Sequence, residues 1–148
     1  MKGVLTVTTY GEKEKNIEYI PRPGAYGIAL NAAGEVMIIE IPNGYHLPGG
    51  GIEADESEIE CLKREFIEET GYEITIVEKI GEAKQLTQSM KSMNYYELYG
   101  NFYRVELGEK VAEPIEDDHT VVFLSPQRAI ACLSLEYQAE MVKRATEN

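Results

Sequence analysis

Residues 50–72 read GGIEADESEIECLKREFIEETGY, and they sit behind the turn-forming run Leu47-Pro48-Gly49-Gly50-Gly51. A chain so rich in glycine can pass close to a ligand, because no side chain holds it off. Asp55-Glu56-Ser57 then supplies an acidic helix start, matched to the positive end of the helix dipole. The pattern is helical from there to Thr70, with Gly71 as a stop. At about 100° per residue, Ile59, Leu62 and Phe66 share one stripe, which is expected to face the core. Glu65, Glu68 and Glu69 form a second cluster at i, i+3 and i+4, turned away from that stripe, and Glu58 is expected near the same face.

Carboxylates crowded on one helix face repel one another. A hard cation removes that cost, and a ligand set made only of oxygen points to Mg²⁺ or Mn²⁺ rather than zinc. Glycines beside the helix start leave room for phosphate oxygens and offer a backbone carbonyl. A metal, a space for phosphate and a spare carboxylate are the parts needed to attack a pyrophosphate with water.

Written as a pattern, the stretch is G-x5-E-x7-R-E-F-x-E-E-x-G-Y, from Gly50 through Glu56 and Arg64 to Tyr72. With each demanding residue type at roughly 7% usage, a chance match has odds of about one in a million, so this is no ordinary solvated acidic helix. The stretch resembles the box that defines the Nudix hydrolases, enzymes that cleave nucleoside diphosphates linked to another group. Tyr72 stands where that pattern asks for a bulky aliphatic residue, a mild departure. The resemblance implies that Glu65, Glu68 and Glu69 bind metal and activate water, with the Gly49 carbonyl as a further ligand. It implies that Arg64 orients the neighbouring glutamate and that Glu56, with Gly50 and Gly71, steadies the loop and helix. Glu65 and Glu68 are both candidates for the general base and are not separated here. The implied cofactor is Mg²⁺ or Mn²⁺. The implied fold is an α/β/α sandwich with a mixed β-sheet and a loop–helix–loop catalytic box.

The rest of the chain agrees with such an α/β fold. Val4–Thr9, Glu73–Ile80, Asn101–Leu107 and Val121–Leu124 read as strands. Ala25–Leu30 and Glu35–Ile41 read as a hairpin about Asn31-Ala32-Ala33-Gly34, and Pro42-Asn43-Gly44 as a second turn. Ser125-Pro126 opens a helix. Leu135–Ala145 is another, with Leu135, Ala139 and Val142 on one side. Strands, a helix, more strands and then helices suggest a mixed sheet covered on both faces.

The length, 148 residues, fits one domain over 1–148. The net charge of −12 argues against a partner of duplex nucleic acid, which calls for a basic face. It permits a nucleotide substrate, since bound metal reverses the local field. There is no long apolar run for a membrane span and no signal-peptide pattern at Met1-Lys2-Gly3-Val4. Cys61 and Cys132 fit no metal or redox spacing, so reduced thiols in a cytoplasmic protein are expected.

Outside the box, the acidic loop Glu113–His119 precedes a strand, where some Nudix relatives place a further ligand or base. Glu116 and Asp118 are its candidates, against the plainer reading of a solvated loop. Arg22, in Pro21-Arg22-Pro23-Gly24, is a candidate phosphate or base contact. Tyrosines and methionines in Thr87–Tyr96 offer a stacking surface for a nucleobase, with an ordinary hairpin loop equally open. His46 and His119 have no partner at metal spacing and read as structural or surface residues. Thr87-Gln88-Ser89, the window that marks substrate subclasses among Nudix enzymes, carries neither the proline of ADP-ribose enzymes nor the tyrosine of dinucleoside polyphosphate enzymes. The substrate within the nucleotide class therefore stays open.

The leading reading is a metal-dependent pyrophosphohydrolase acting on a small nucleotide diphosphate derivative. A non-catalytic nucleotide sensor of the same fold is the alternative, disfavoured because every box glutamate is present. An isoprenyl diphosphate isomerase would need a catalytic cysteine and a longer chain. A homodimer is compatible with the resemblance, though the sequence carries no interface signal.

Overall fold

The computed structural model describes residues 7–115 and 117–147. In chain order its elements are β1 (Thr8–Tyr10), β2 (Ile20–Ala29), β3 (Val36–Ile41), β4 (Gly44–His46) and β5 (Gly49–Gly51). Helix α1 (Glu58–Thr70) follows, then β6 (Tyr72–Gln88), β7 (Tyr95–Lys110), β8 (Thr120–Leu124), α2 (Pro126–Cys132) and α3 (Glu136–Thr146). One sheet runs β1-β6-β7-β2-β5 and is mixed, with β1–β6 and β2–β7 parallel. A smaller antiparallel sheet runs β4-β3-β8.

Strand alternation sends side chains to two cores. On one face Ala25, Ala29, Tyr103 and Val105 pack with Cys61, Leu62 and Phe66 of α1. On the other, Ile28 and Phe102 pack with Tyr137, Met141 and Val142 of α3. Because both faces are covered, residues 24–29 and 36–39 read as nearly unbroken small or apolar runs. The result is the expected α/β/α layering.

Several elements differ from the sequence reading. β2 and β3 do not form a hairpin: they lie in different sheets, and just beyond the end of β2 an isolated antiparallel bridge joins Leu30 to Val36. The turn itself exists, with the Asn31 Oδ1 accepting from the Ala33 and Glu35 amides. β2 instead pairs along its whole length with β7, from Ile20–Tyr96 to Ala29–Val105, and that long ladder outweighs a local one. Pro42-Asn43-Gly44 does close a hairpin, β3 to β4. β6 and β7 run much further than expected, because charged and aromatic side chains such as Lys84 and Tyr99 pair across them. In α3 the buried face is Tyr137, Gln138, Met141, Val142 and Ala145, while Leu135 and Ala139 are only half-buried. Its inner stripe therefore includes a glutamine, which apolar periodicity could not select.

Candidate active site

Local chemistry fixes α1 at both ends. Ser57 accepts from the Glu60 amide at 3.0 Å while Glu60 accepts from the Ser57 amide at 2.8 Å, a capping box within the acidic start. At the other end Gly71 takes φ 80°, and its amide donates to the Phe66 and Ile67 carbonyls. The helix buries Leu62 and Phe66, with Ile59 at the margin of the same cluster.

The loop entering the helix is tied to three elements. The Leu47 amide donates to Gln138 Oε1 of α3 at 2.8 Å. The Gly27 amide of β2 donates to the Pro48 carbonyl at 3.0 Å. The Gly49 amide donates to Glu69 Oε1 of α1 at 2.9 Å. Gly50 follows against Glu65, and a Cβ there would lie 2.7 Å from the Glu65 carboxyl carbon. Only glycine admits so close an approach.

Arg64 is the hub of the box. Its Nε and Nη2 donate to the two Glu56 carboxylate oxygens at 2.6 and 3.0 Å, a bidentate pair. Its Nη1 reaches Glu65 Oε1 at 3.0 Å and Glu68 Oε2 at 3.1 Å, and its Nη2 reaches the Gly51 carbonyl at 3.2 Å. One planar cation thus locks loop to helix and aims two glutamates. The Arg64 bond holds Glu56 well below the usual carboxylate range, at about 2. Burial pushes Glu65 upward against the opposing pull of Arg64, and the neighbouring Glu68 charge adds to the rise. Burial thus makes Glu65 hold a proton more strongly than an exposed carboxylate would.

Glu65, Glu68 and Glu69 line one open cavity of about 350 Å³ with Ile115 and His119. The structure joins these residues to Arg64, Glu56, Gly49 and Gly50, while Gly71 stands at the C-terminal end of α1 as its cap. It places others elsewhere. Glu58 turns away from the glutamates to pair with Lys79 at 3.1 Å and to accept from the Tyr103 hydroxyl. Arg22 is exposed on β2 with its guanidinium 4.3 Å from the centre of the Tyr96 ring, and it does not line the glutamate cavity. Asp118 is exposed, with Oδ1 3.7 Å from His119 Nε2. Glu116 lies outside the described residues. Met90 and Met93 are exposed at the β6–β7 turn. Cys61 is buried, and that burial pushes its thiol up to about 12.

The histidines are the residues that sequence reading missed. His46 Nε2 lies 3.6 Å and His119 Nδ1 3.3 Å from Glu69 Oε2, so both meet a box glutamate although neither has a partner at metal spacing along the chain. Glu69 itself is buried, with a side chain 7% exposed. Its neighbours come from β4 and from the loop before β8, which flank β3 in the small sheet. That pairing was the signal, and it is tertiary.

The family model described as the NUDIX domain matches residues 20–144. A Bacillus subtilis (strain 168) protein provisionally named an 8-oxo-dGTP diphosphatase is 38% identical over 61 residues. That stretch covers 39% of this chain and 40% of the relative, so the alignment spans well under half of either protein. Among solved structures, the MutT protein of Methanosarcina mazei Go1 superposes with a TM-score of 0.68 at 18% identity, covering 87% of this chain and 95% of that one. The E. coli ORF135 protein gives 0.65 at 20% identity, covering 84% and 90%. At these identities the structural likeness establishes the fold.

Proposed function

This chain belongs to the Nudix family, and from that premise we propose that it is a metal-dependent pyrophosphohydrolase acting on a nucleoside diphosphate linked to a further group. The observation that carries the reading is the cavity where Glu65, Glu68 and Glu69 meet, two of them aimed by a single arginine. The donors there fit a hard dication: they are carboxylate oxygens, and Arg64 is shared among Glu56, Glu65 and Glu68. Glu65, Glu68 and Glu69 would hold Mg²⁺ or Mn²⁺, with the Gly49 carbonyl as a further ligand. Such an ion, when bound, lowers the pKa of water and offsets charge on phosphate oxygens.

The chain's own residues do the rest. A water oxygen attacks one phosphorus, the bond from that phosphorus to the bridging oxygen breaks, and the water proton passes to Glu65 or Glu68. Arg64 keeps both carboxylates in place through that transfer. Glu69 holds the Gly49 amide, so the loop that receives the phosphates stays registered to the helix. Arg22 beside Tyr96 is proposed to meet the nucleoside or the remote group, Asp118 to border the substrate from the loop before β8, and Glu116 to be a further substrate contact.

The reading includes one domain over 1–148 and a reducing, cytoplasmic compartment, the latter supported by two free thiols, and it is compatible with a homodimer. No helix among the described residues is long and apolar enough to cross a membrane. The test is release of phosphate or pyrophosphate across oxidised and ordinary dNTPs, ADP-ribose, nucleotide sugars and dinucleoside polyphosphates, with Mg²⁺, Mn²⁺ or EDTA. Turnover abolished by EDTA and cut by orders of magnitude in Glu68→Gln is expected. Silence across the panel from folded, metal-loaded protein would overturn it.

A further inference from the structure

We propose that His46, Glu69 and His119 form a nitrogen-rich site for a zinc-type dication, beside the carboxylate face of Glu65 and Glu68. One ligand atom from each lies within 4.8 Å of the others. Two of the three spacings, 3.6 Å from His46 Nε2 and 3.3 Å from His119 Nδ1 to Glu69 Oε2, are those expected between ligands of one ion. Bonds of about 2.0–2.1 Å at tetrahedral angles separate ligand atoms by about 3.4 Å. Two imidazoles and one carboxylate are a donor set suited to a borderline ion such as Zn²⁺, whereas Mg²⁺ prefers oxygen throughout.

The surroundings of the three side chains carry the argument further. His46 Nδ1 lies 2.7 Å from the Leu47 carbonyl, which can only accept, so Nδ1 bears the proton. The nitrogen left to bind is Nε2, and it is the one that faces Glu69. His119 is arranged in the reverse sense. Its Nδ1 faces Glu69 while Nε2 lies 3.7 Å from the Asp118 carboxylate. Glu69 in turn is oriented through Oε1 by the Gly49 amide, leaving Oε2 toward the histidines. His46 and Glu69 thus each have an outer hydrogen-bond partner that sets their direction, as proteins orient metal ligands, while the exposed Asp118 carboxylate stands beyond hydrogen-bond reach of His119. The side chains are 23%, 7% and 19% exposed for His46, Glu69 and His119, and His119 borders the open cavity, which gives an entry path.

Glu69 is a ligand in both readings and His119 borders the same cavity, but the site is tested by Zn²⁺ binding and not by turnover, so its failure is distinguishable from that of the hydrolase reading. The experiment uses the full chain after chelator treatment, titrated with Zn²⁺ against a chromophoric chelator and, separately, with Mg²⁺. Co²⁺ absorption reports nitrogen ligation directly. His46→Ala/His119→Ala is expected to lose about 100-fold or more in Zn²⁺ affinity and the intense Co²⁺ bands, with Mg²⁺ binding changed less than about threefold. Glu65→Gln and Glu68→Gln are expected to keep Zn²⁺ affinity. Should the alanine pair fail to fold, His46→Gln and His119→Asn carry the same expectation at similar volume. Zn²⁺ affinity unchanged in the histidine variants, or lost instead in Glu65→Gln, would overturn the site. Zn²⁺ binding by a protein silent on every nucleotide would uphold this site and overturn only the hydrolase reading.

Discussion

Helix α1 is seated by a close contact between Phe66 and Gly27, and the pair makes a quantitative prediction. Phe66 is fully buried, and a Cβ built on Gly27 would lie 2.4 Å from its Cε1 and 2.8 Å from its Cζ. β2 cannot simply recede, because the Gly27 amide donates to the Pro48 carbonyl and its residue pairs with Tyr103 of β7. Gly27→Ala should therefore overpack the seat and cost about 1–3 kcal/mol. Phe66→Leu alone should cost about 1–2 kcal/mol through lost contact and a residual void. Combined, the added methyl occupies space that the smaller side chain vacates, and the double variant should be about 1–2 kcal/mol more stable than the sum of the single losses. Urea unfolding of all four proteins by circular dichroism measures this directly. With a slope of about 2 kcal/mol per molar, each kcal/mol moves the midpoint by about 0.5 M. Costs that add within about 0.5 kcal/mol, or a Gly27→Ala protein as stable as the parent, would refute the proposed seating.

Other consequences are open to simple assays. Glu68→Gln should cut kcat by about 10²–10⁴-fold while leaving the thermal midpoint nearly unchanged, since Glu68 is 39% exposed and supports no core; an unchanged kcat would remove it from the mechanism. Glu56 is held down to about 2 from 4.5 by Arg64, so its contribution to stability is present above pH 4.5 and is lost as pH falls toward 2. Glu56→Gln should flatten the stability curve in that window, and identical curves for both proteins would exclude the pairing as its source. A thiol reagent at pH 8 should label half-buried Cys132 and spare Cys61, whose thiol is pushed up to about 12 by burial. Equal labelling rates without denaturant would contradict that burial.

The box was legible because its constraints are local. Arg64 reaches Glu65 and Glu68 along one helix, and Gly71 ends that helix by its own backbone freedom. The capping pair Ser57–Glu60 was equally local, though masked by the acids around it. Strand lengths in β6 and β7 were not legible, since cross-strand pairs such as Lys84 and Tyr99 break the apolar alternation that marks a strand. The glutamine on the inner face of α3 was hidden for a related reason. Gln138 is buried because it satisfies the Leu47 amide, a partner 91 positions away.

Residues 50–72 by themselves determined the family, the helix and the carboxylates to test, because spacing along a helix translates directly into a shared face. Tertiary structure alone decided that β2 and β3 part into different sheets, since the competing ladder of β2 with β7 lies far away in the chain. It also decided the fate of the two histidines. His46 ends β4, His119 precedes β8, and both strands flank β3, so sheet pairing carries their side chains to the buried Glu69. No spacing rule encodes that meeting, because the distance that matters is measured across a sheet and not along the chain.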